Sequence, residues 1–155
     1  MAGNTDGAPE LGIVTALLVR ACRVENLLPQ ARILLVEDEF LIRLILSEAL
    51  VEAGYDVSEA ETGDEAMDMI ETQEGFDMLV TDIQMPGATD GIALAAVIRA
   101  RYPGIPVVYM TGRPDVMRGA GRLSTREAFI RKPYGPAEVL STIERLLVAE
   151  GSGGR

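Results

Sequence analysis

The stretch "DMLVTDIQMPG", residues 77–87, decides the fold of this chain. It is an apolar run that leads directly into the carboxylate of Asp82 and is then broken by Met85-Pro86-Gly87. A short apolar run bounded by turn residues is typical of a strand that is buried on both faces. Strands of this kind belong to parallel sheets that helices cover on each side. The stretch therefore predicts a central strand of a parallel sheet, with Asp82 at its carboxyl end.

The chain between residues 32 and 150 alternates strand and helix patterns throughout. Short aliphatic runs predict five strands, and longer segments with helical spacing of their apolar residues predict five helices. The strands are expected at 32–36, 55–60, 76–81, 105–110 and 128–130, and the helices at 40–53, 64–73, 91–102, 114–123 and 136–150. We therefore predict a doubly wound α/β fold built on a five-stranded parallel sheet.

The first of these helices, residues 40–53, divides into two faces. Apolar residues at helical spacing predict a buried face, and charged residues predict a solvent face. The predicted buried face consists of Ile42, Ile45, Leu46, Ala49, Leu50 and Ala53, and the predicted solvent face carries Arg43, Glu48 and Glu52. Gly54 is predicted to end the helix, because glycine readily adopts the left-handed conformation found there.

Residues 1–30 precede this pattern and are predicted to form an extension of the domain at 31–150. Residues 11–30, "LGIVTALLVRACRVENLLPQ", have roughly helical spacing of apolar residues and predict an additional N-terminal helix after a flexible start. An apolar face left exposed on this helix would drive homodimer formation or partner binding. The alternatives are that this helix packs on the domain, or that the chain as given starts upstream of its natural first residue. Residues 151–155, "GSGGR", are predicted to form a flexible tail.

Composition excludes several classes of function. A chain of 155 residues fits one domain, and its 24 acidic against 14 basic residues give a net charge of -10, which opposes binding to nucleic acid or to anionic membranes. The apolar run near the N-terminus is well short of the roughly 20 residues that a membrane span needs. The chain has no histidine, the commonest general base, and a single cysteine, which cannot form an internal disulfide. We expect a cytoplasmic protein without membrane insertion.

Polar side chains follow the predicted strands. Glu37 and Asp38 follow the first strand, Asp82 ends the third, Thr111 ends the fourth, and Lys132 follows the fifth. These positions meet at one edge of a parallel sheet. Crowded carboxylates need a cation or a proton among them, and oxygen ligands without histidine or cysteine favour Mg²⁺ as the cation. Asp82 can act as a nucleophile, and Thr111 and Lys132 are suited to binding phosphoryl oxygens. Together with the metal, these residues predict phosphoryl transfer.

Four segments carry a family resemblance. They are "ILLVEDE" at 33–39, "LVTDIQMPGATDG" at 79–91, "PVVYMTG" at 106–112 and "AFIRKPY" at 128–134. Asp38, Asp82, Thr111 and Lys132 occur in that order along the chain, and successive residues are separated by 44, 29 and 21 positions. Residues 31–149 resemble a CheY-like response regulator receiver domain of two-component signalling, of the single-domain type. The resemblance implies a flavodoxin-like sheet with strand order 2-1-3-4-5.

The resemblance also implies a role for each matching site residue. Asp82 would be the phosphoacceptor, and Thr111 and Lys132 would hold the phosphoryl oxygens. The implied Mg²⁺ ligands are Glu37, Asp38, Asp82 and the backbone carbonyl of Gln84.

Three further positions follow from the resemblance. Phe129 stands where the family has its aromatic switch, and Gln84 and Arg113 stand where the family tunes the lifetime of the phosphoryl group. As a hypothesis, Arg113 would pair with the acyl phosphate and slow its loss. Gly112 departs from the family pattern, which usually has alanine at this position, and is expected to loosen the loop after Thr111.

The implied partners are a histidine kinase or phosphotransfer protein, as phosphoryl donor, and a downstream protein target. Only "GSGGR" follows the last predicted helix, so we expect no output domain and a signal that passes by docking. The chain would not be an enzyme, except that it catalyses its own phosphorylation and dephosphorylation.

Three other functions compete with this interpretation. A receiver fold can act as an interaction module that does not depend on phosphorylation. A Mg²⁺-dependent phosphohydrolase with an aspartate nucleophile would need a second carboxylate where Gln84 stands. A flavodoxin-like FMN carrier would need a phosphate-binding loop after the first strand, where "VEDE" would repel phosphate.

Overall fold

A computed structural model describes residues 30–118 and 123–151 of the chain. Within these residues, five strands alternate with helices. The strands are β1 (Arg32–Val36), β2 (Asp56–Ala60), β3 (Met78–Asp82), β4 (Val107–Thr111) and β5 (Glu127–Arg131). The helices are α1 (Phe40–Glu52), α2 (Gly63–Thr72), α3 (Gly91–Arg101), α4 (Asp115–Arg118) and α5 (Pro136–Gly151). In this described part, no helix combines the length and apolar character that a membrane span requires.

The five described strands form one parallel sheet in the order β2-β1-β3-β4-β5. The predicted parallel sheet and its flavodoxin-like strand order are therefore confirmed. Strand β1 pairs with β2 on one side and with β3 on the other, so the strand order reverses between β1 and β3. In sheets of this class, ligands bind beyond the carboxyl ends of the strands at that reversal.

Each face of the sheet carries its own apolar layer. Successive side chains of a strand point to opposite faces, so Leu79 joins the layer under α2 and α3, and Val80 joins the layer under α1 and α5. Strands β1, β3 and β4 are buried along almost their whole length. Burial of each Leu or Ile contributes roughly 1.5–3 kcal/mol, so the central strands form a well-anchored platform for the residues at their ends.

The prediction of five helices, with a weak, glycine-interrupted one over 114–123, is only partly confirmed. The described residues contain four helices of ten or more residues and the single turn α4, where a helix over 114–123 is predicted. Residues 119–122 and 152–155 lie outside the described part, as do the predicted flexible start and N-terminal helix apart from Gln30.

The predicted faces of α1 need correction. Leu46 and Leu50 are buried as predicted, but Arg43 is only 5% exposed and Ile45 is 53% exposed. Ala53, the C-cap of the helix, is also exposed. Arg43 is buried because acidic groups and a backbone carbonyl surround its guanidinium, which spacing alone does not reveal.

Candidate functional site

Three acidic side chains gather at the carboxyl ends of β1 and β3. One carboxylate oxygen from each of Glu37, Asp38 and Asp82 lies within 4.8 Å of the others. The pairing of β1 with β3 produces this arrangement, because Val36 is opposite Thr81 and the residues that follow both leave the sheet at the same edge. Glu37 and Asp82 are buried, whereas Asp38 is exposed.

Lys132 brings a positive charge to this cluster. Its Nζ donates to Asp82 Oδ2 at 2.8 Å and lies 3.5 Å from Glu37 Oε2. The Lys132 amide donates to the Thr111 carbonyl at 2.8 Å, which fixes Lys132 beside β4. The Lys132-Pro133 peptide bond is cis. Burial alone would lower the pKa of Lys132, but the bond to Asp82 and the charge of Glu37 raise it overall. Lys132 is therefore held as a cation between the two buried carboxylates.

Glu37 is a buried carboxylate of the cluster with a raised pKa. Burial is the main cause that raises the pKa of Glu37 to about 7. The Glu39 amide, which donates to Glu37 Oε1 at 3.1 Å, and the Lys132 charge act in the opposite direction. Asp82 and Asp38 raise this pKa further by like-charge repulsion. One lysine therefore does not neutralise the cluster.

The loop after β3 holds Asp82 in place. The Gln84 amide donates to Asp82 Oδ1 at 3.1 Å, so each carboxylate oxygen of Asp82 has its own donor. At the end of the loop, a Cβ on Gly91 would overlap the carbonyl oxygen of Asp82. Only glycine therefore allows α3 to start so close to β3.

The same loop is fastened to the start of α2. Asp64 Oδ1 accepts from the Thr89 hydroxyl at 2.7 Å, and Asp64 Oδ2 accepts from the Ala88 amide at 3.2 Å. These bonds lower the pKa of Asp64, with the Thr89 bond as the largest cause. They connect a loop that carries Gln84 to a neighbouring helix.

Arg43 of α1 supports the other side of the cluster. Its guanidinium donates to the carbonyl oxygen of Glu37 at 2.7 Å. It also donates to Glu61 at 2.7 Å and lies 3.5 Å from Glu59, so it connects α1 to the end of β2. The helical spacing predicted Arg43 on the solvent face, which this contact shows to be wrong.

The donor set fits a hard divalent cation. Glu37 Oε2 is buried and has no hydrogen-bond partner, although Lys132 Nζ is nearby. Among the described residues, this is the one group of three or more acidic, cysteine or histidine side chains close enough to hold a metal. All its donors are carboxylate oxygens, which Mg²⁺ prefers.

The family is decided by a comparison with known sequence families. Residues 33–144 match the response regulator receiver domain family. The chain belongs to that family. The resemblance that was based on four short segments is therefore confirmed. The family match covers most of the predicted receiver domain at 31–150.

Curated relatives of this receiver include both short and long proteins. The response regulator receiver protein CpdR of Brucella abortus is 34% identical over 119 residues, which cover 76% of this chain and 98% of CpdR. The DNA-binding transcriptional regulator NtrC of Klebsiella pneumoniae is 35% identical over 115 residues, 73% of this chain. The matched region is 24% of NtrC, and it is 48% of the transcriptional regulatory protein ResD of Bacillus subtilis. The chain thus spans a quarter to a half of these two relatives.

Solved receiver structures share the fold. A response regulator receiver protein from Sinorhizobium medicae is 29% identical with a TM-score of 0.72, and the match covers 79% of this chain and 98% of that one. The response regulator TrrA of Thermotoga maritima, solved in complex with Mg²⁺-BeF, is 29% identical with a TM-score of 0.62. That match covers 76% of this chain and 99% of TrrA.

The remaining residues singled out from the sequence lie around the receiver's acidic cluster. Thr111 is buried at the end of β4, next to β3, and its hydroxyl accepts from the Arg113 amide at 3.0 Å. Gln84 contacts Asp82 through its backbone amide, and its side chain is exposed. The Arg113 guanidinium pairs with Asp115 at 3.2 Å. Phe129 is half-buried in β5 and packs against the layer under α2 and α3.

Two residues near the site were not predicted from the sequence. Arg43 was assigned to the wrong face of α1, and Tyr134 was quoted in "AFIRKPY" without a role. The Tyr134 hydroxyl is buried close to the acidic cluster. The sequence carries no signal for this residue, because burial of its hydroxyl follows from tertiary contacts.

Proposed function

We propose that the chain is a phosphoacceptor response regulator, which receives a phosphoryl group on Asp82. The donor would be the phosphohistidine of a histidine kinase or of a phosphotransfer protein. The observation that carries this proposal is the buried Asp82 carboxylate, within 4.8 Å of two other carboxylates and bonded to Lys132. Carboxylates of this kind can serve as nucleophiles that form an aspartyl phosphate.

The transfer is a displacement at phosphorus. An oxygen of Asp82 attacks the phosphorus, and the P–O bond forms as the P–N bond to the donor imidazole breaks. The electron pair of the broken bond leaves with the imidazole nitrogen. The hydrogen bonds from Lys132 and from the Gln84 amide fix the carboxylate before the attack, so little reorientation remains.

Two side chains of the receiver would stabilise the transferred group. Lys132 has a flexible stem, so its ammonium can follow the charge from Asp82 to a phosphoryl oxygen. Thr111 accepts from the Arg113 amide, and no described residue accepts its proton, so its O–H can donate to another phosphoryl oxygen. Both groups act at oxygens on which negative charge is spread in the transition state.

The carboxylates of Glu37, Asp38 and Asp82, with the backbone carbonyl of Gln84, would hold Mg²⁺. When bound, Mg²⁺ would neutralise charge on the phosphoryl oxygens. The buried and unpartnered Glu37 Oε2 supports a cation at this place.

The phosphoryl group would act through the surface around β4 and β5. Thr111 ends β4, directly before the loop that contains Arg113, and β4 pairs with β5. Phe129 in β5 is only half-buried. A change at Thr111 can therefore reach Phe129 through the paired strands. The partner on the output side would be a protein target, because the net charge of -10 opposes nucleic acid binding. The single cysteine supports a reducing compartment, the cytoplasm. Beyond its own phosphorylation and dephosphorylation, the chain would catalyse no reaction.

The proposal is tested by intact-mass measurement after incubation with acetyl phosphate and Mg²⁺. Wild type should gain one phosphoryl group, and chelation of the metal should prevent the gain. Asp82→Asn should show no gain, whereas Asp68→Asn, on the exposed side of α2, should behave as wild type. A folded wild type that gains no mass would reject a phosphoacceptor and favour an interaction module independent of phosphorylation.

A further inference from the structure

The loop between β3 and α3, residues 83–90, is closed at its base by a backbone contact. The Gly91 amide donates to the Ile83 carbonyl at 3.0 Å. The Ile83 carbonyl and the Gln84 amide belong to one planar peptide group, so this bond fixes the direction of both. The Gln84 amide is thereby held where it donates to Asp82 Oδ1 at 3.1 Å.

The next peptide group, which carries the Gln84 carbonyl, is not fixed in this way. No described residue donates a hydrogen bond to that carbonyl, so its lone pairs are available to a cation. Met85 packs partly against the layer under α2 and α3, but the rest of residues 84–90 is largely exposed. The direction of the Gln84 carbonyl therefore depends on the path that the loop takes beyond it.

Asp64 of α2 holds the far part of this loop. Its Oδ1 accepts from the Thr89 hydroxyl at 2.7 Å, and its Oδ2 accepts from the Ala88 amide at 3.2 Å. The loop fits closely around the carboxylate, because a Cβ on Gly87, whose φ is +108°, would lie 2.8 Å from Asp64 Oδ2. We call the contacts of Asp64 with Thr89, Ala88 and Gly87 the Asp64 clasp.

The start of α2 gives the clasp a rigid support. Thr62, the N-cap, accepts from the Glu65 amide at 3.1 Å, and the Glu65 carboxylate accepts from the Glu61 amide at 2.8 Å. Bonds of this kind fix the first turn of a helix. The helix start also packs directly on the loop, since a Cβ on Gly63 would overlap the Thr89 carbonyl oxygen.

We propose that Asp64 is a positioning residue of the acidic site, which holds the path of the β3–α3 loop and thereby orients the Gln84 carbonyl for Mg²⁺ binding. This inference rests on the proposed function, in which that carbonyl is a metal ligand. Asp64 is not one of the three carboxylates within 4.8 Å of one another, and loop donors occupy both of its oxygens. It therefore acts through the loop and not as a further ligand.

The clasp should affect the metal ligand and leave the nucleophile in place. Asp82 is held by Lys132 and by the Gln84 amide, and neither contact involves Asp64. Loss of the clasp should therefore weaken Mg²⁺ binding, with little change in the phosphorylation rate once Mg²⁺ saturates the site. Loss of groups that orient metal ligands typically weakens metal affinity about 10–100-fold.

The test compares two variants that break the clasp, Asp64→Ala and Thr89→Val, with wild type. Asp68→Ala is the matched control, because it removes an exposed carboxylate from the same helix without touching the loop. NMR titration of each full-length, metal-free protein with MgCl₂ at constant ionic strength should give a dissociation constant about tenfold higher for Asp64→Ala. Thr89→Val, which removes one bond and no charge, should give a smaller rise, and Asp68→Ala should stay close to wild type.

Two further measurements separate positioning from general weakening of the fold. The double variant Asp64→Ala/Thr89→Val should bind Mg²⁺ no more weakly than Asp64→Ala alone, since both changes break the same contact. In phosphorylation by acetyl phosphate, the Mg²⁺ concentration for half-maximal rate should rise in parallel with the dissociation constant. The rate at saturating Mg²⁺ should stay close to wild type.

Wild-type Mg²⁺ affinity in both clasp variants would overturn the inference and leave the proposed function intact. An equal loss of affinity in Asp64→Ala and Asp68→Ala would assign the effect to charge and also overturn it. So would a fall in the rate at saturating Mg²⁺ as large as the loss of affinity, because the clasp would then act on Asp82. If Asp64→Ala does not fold, Thr89→Val decides, since it leaves α2 unchanged. A wild type that binds no Mg²⁺ would overturn the metal site of the proposed function together with this inference.

Discussion

At the scale of single residues, the two buried carboxylates of the site are in different situations. Asp82 has a donor on each oxygen, from Lys132 and from the Gln84 amide. Glu37 has one backbone donor and one unpartnered oxygen. Burial therefore opposes the ionisation of Glu37 and raises its pKa.

Stability of the metal-free protein should depend on the protonation of Glu37. The pKa of Glu37 is about 7 in the folded protein against an ordinary value of 4.5, so between these pH values the folded state binds more protons than the unfolded state. Stability then falls as pH rises through this range. The loss is on the order of 3 kcal/mol, since the folded and ordinary pKa values differ by about 2.5 and each pKa unit corresponds to about 1.4 kcal/mol.

Glu37→Gln should remove this loss, because the amide stays neutral. Denaturant unfolding in the presence of a chelator should show the variant more stable than wild type above pH 7 and nearly equal to it below pH 4.5. Glu48→Gln, at an exposed position of α1, should follow the wild-type pH dependence. Parallel curves for wild type and Glu37→Gln would contradict the role given to burial.

The sequence predicted some of these residues better than others. Asp82, Thr111 and Lys132 could be found because each ends or follows a strand, and parallel strands end at one edge. Arg43 and Tyr134 could not, because their positions follow from tertiary contacts rather than from spacing. Charge placed Arg43 on the surface, yet its contacts with Glu37 and Glu61 compensate its burial.

At the scale of elements, the approach of α3 to β3 sets the geometry of the site. Gly91 begins α3 directly after its N-cap, Asp90, whose side chain accepts from the Ala93 amide. A Cβ on Gly91 would overlap the backbone at the end of β3, and backbone cannot move aside as a flexible side chain can. By contrast, a Cβ on Gly112 would meet nothing within 4 Å.

Gly91→Ala should therefore destabilise the protein, and Gly112→Ala should not. Overpacking of this kind costs about 1–3 kcal/mol. Gly112 does not have a positive φ, so alanine there should be neutral or should stabilise by about 0.4–1 kcal/mol through the unfolded state. Urea unfolding of both variants measures the difference. Equal free energies of unfolding for the two variants would show that α3 can move away from β3 without cost.

The strands and long helices were predicted to within about two residues because their patterns have a clear period. Strand β1 has the predicted bounds, and α3 begins at the predicted Gly91. The helix predicted over 114–123 had no such pattern and is described only as the turn α4. Local sequence therefore predicted the elements that the sheet buries, whereas residues 119–122 of the helix predicted over 114–123 lie outside the described part.

At the scale of the whole molecule, charge is the dominant feature. The chain carries a net charge of -10, and three of its carboxylates are gathered around one lysine. Self-repulsion of this kind destabilises the compact state, and any cation reduces it by screening. A cation that binds only the folded protein adds a further stabilisation that grows with its concentration.

Mg²⁺ should therefore stabilise the chain more than NaCl at the same ionic strength. At about 100 times its dissociation constant, binding to the folded state alone adds about 2.7 kcal/mol to the free energy of unfolding. Asp38→Asn should reduce this difference between the salts, because it removes the exposed carboxylate of the cluster. Denaturant unfolding in matched salt solutions, with chelator as reference, measures it. If both salts stabilise wild type equally, the cations act only by screening, and the acidic cluster does not select Mg²⁺.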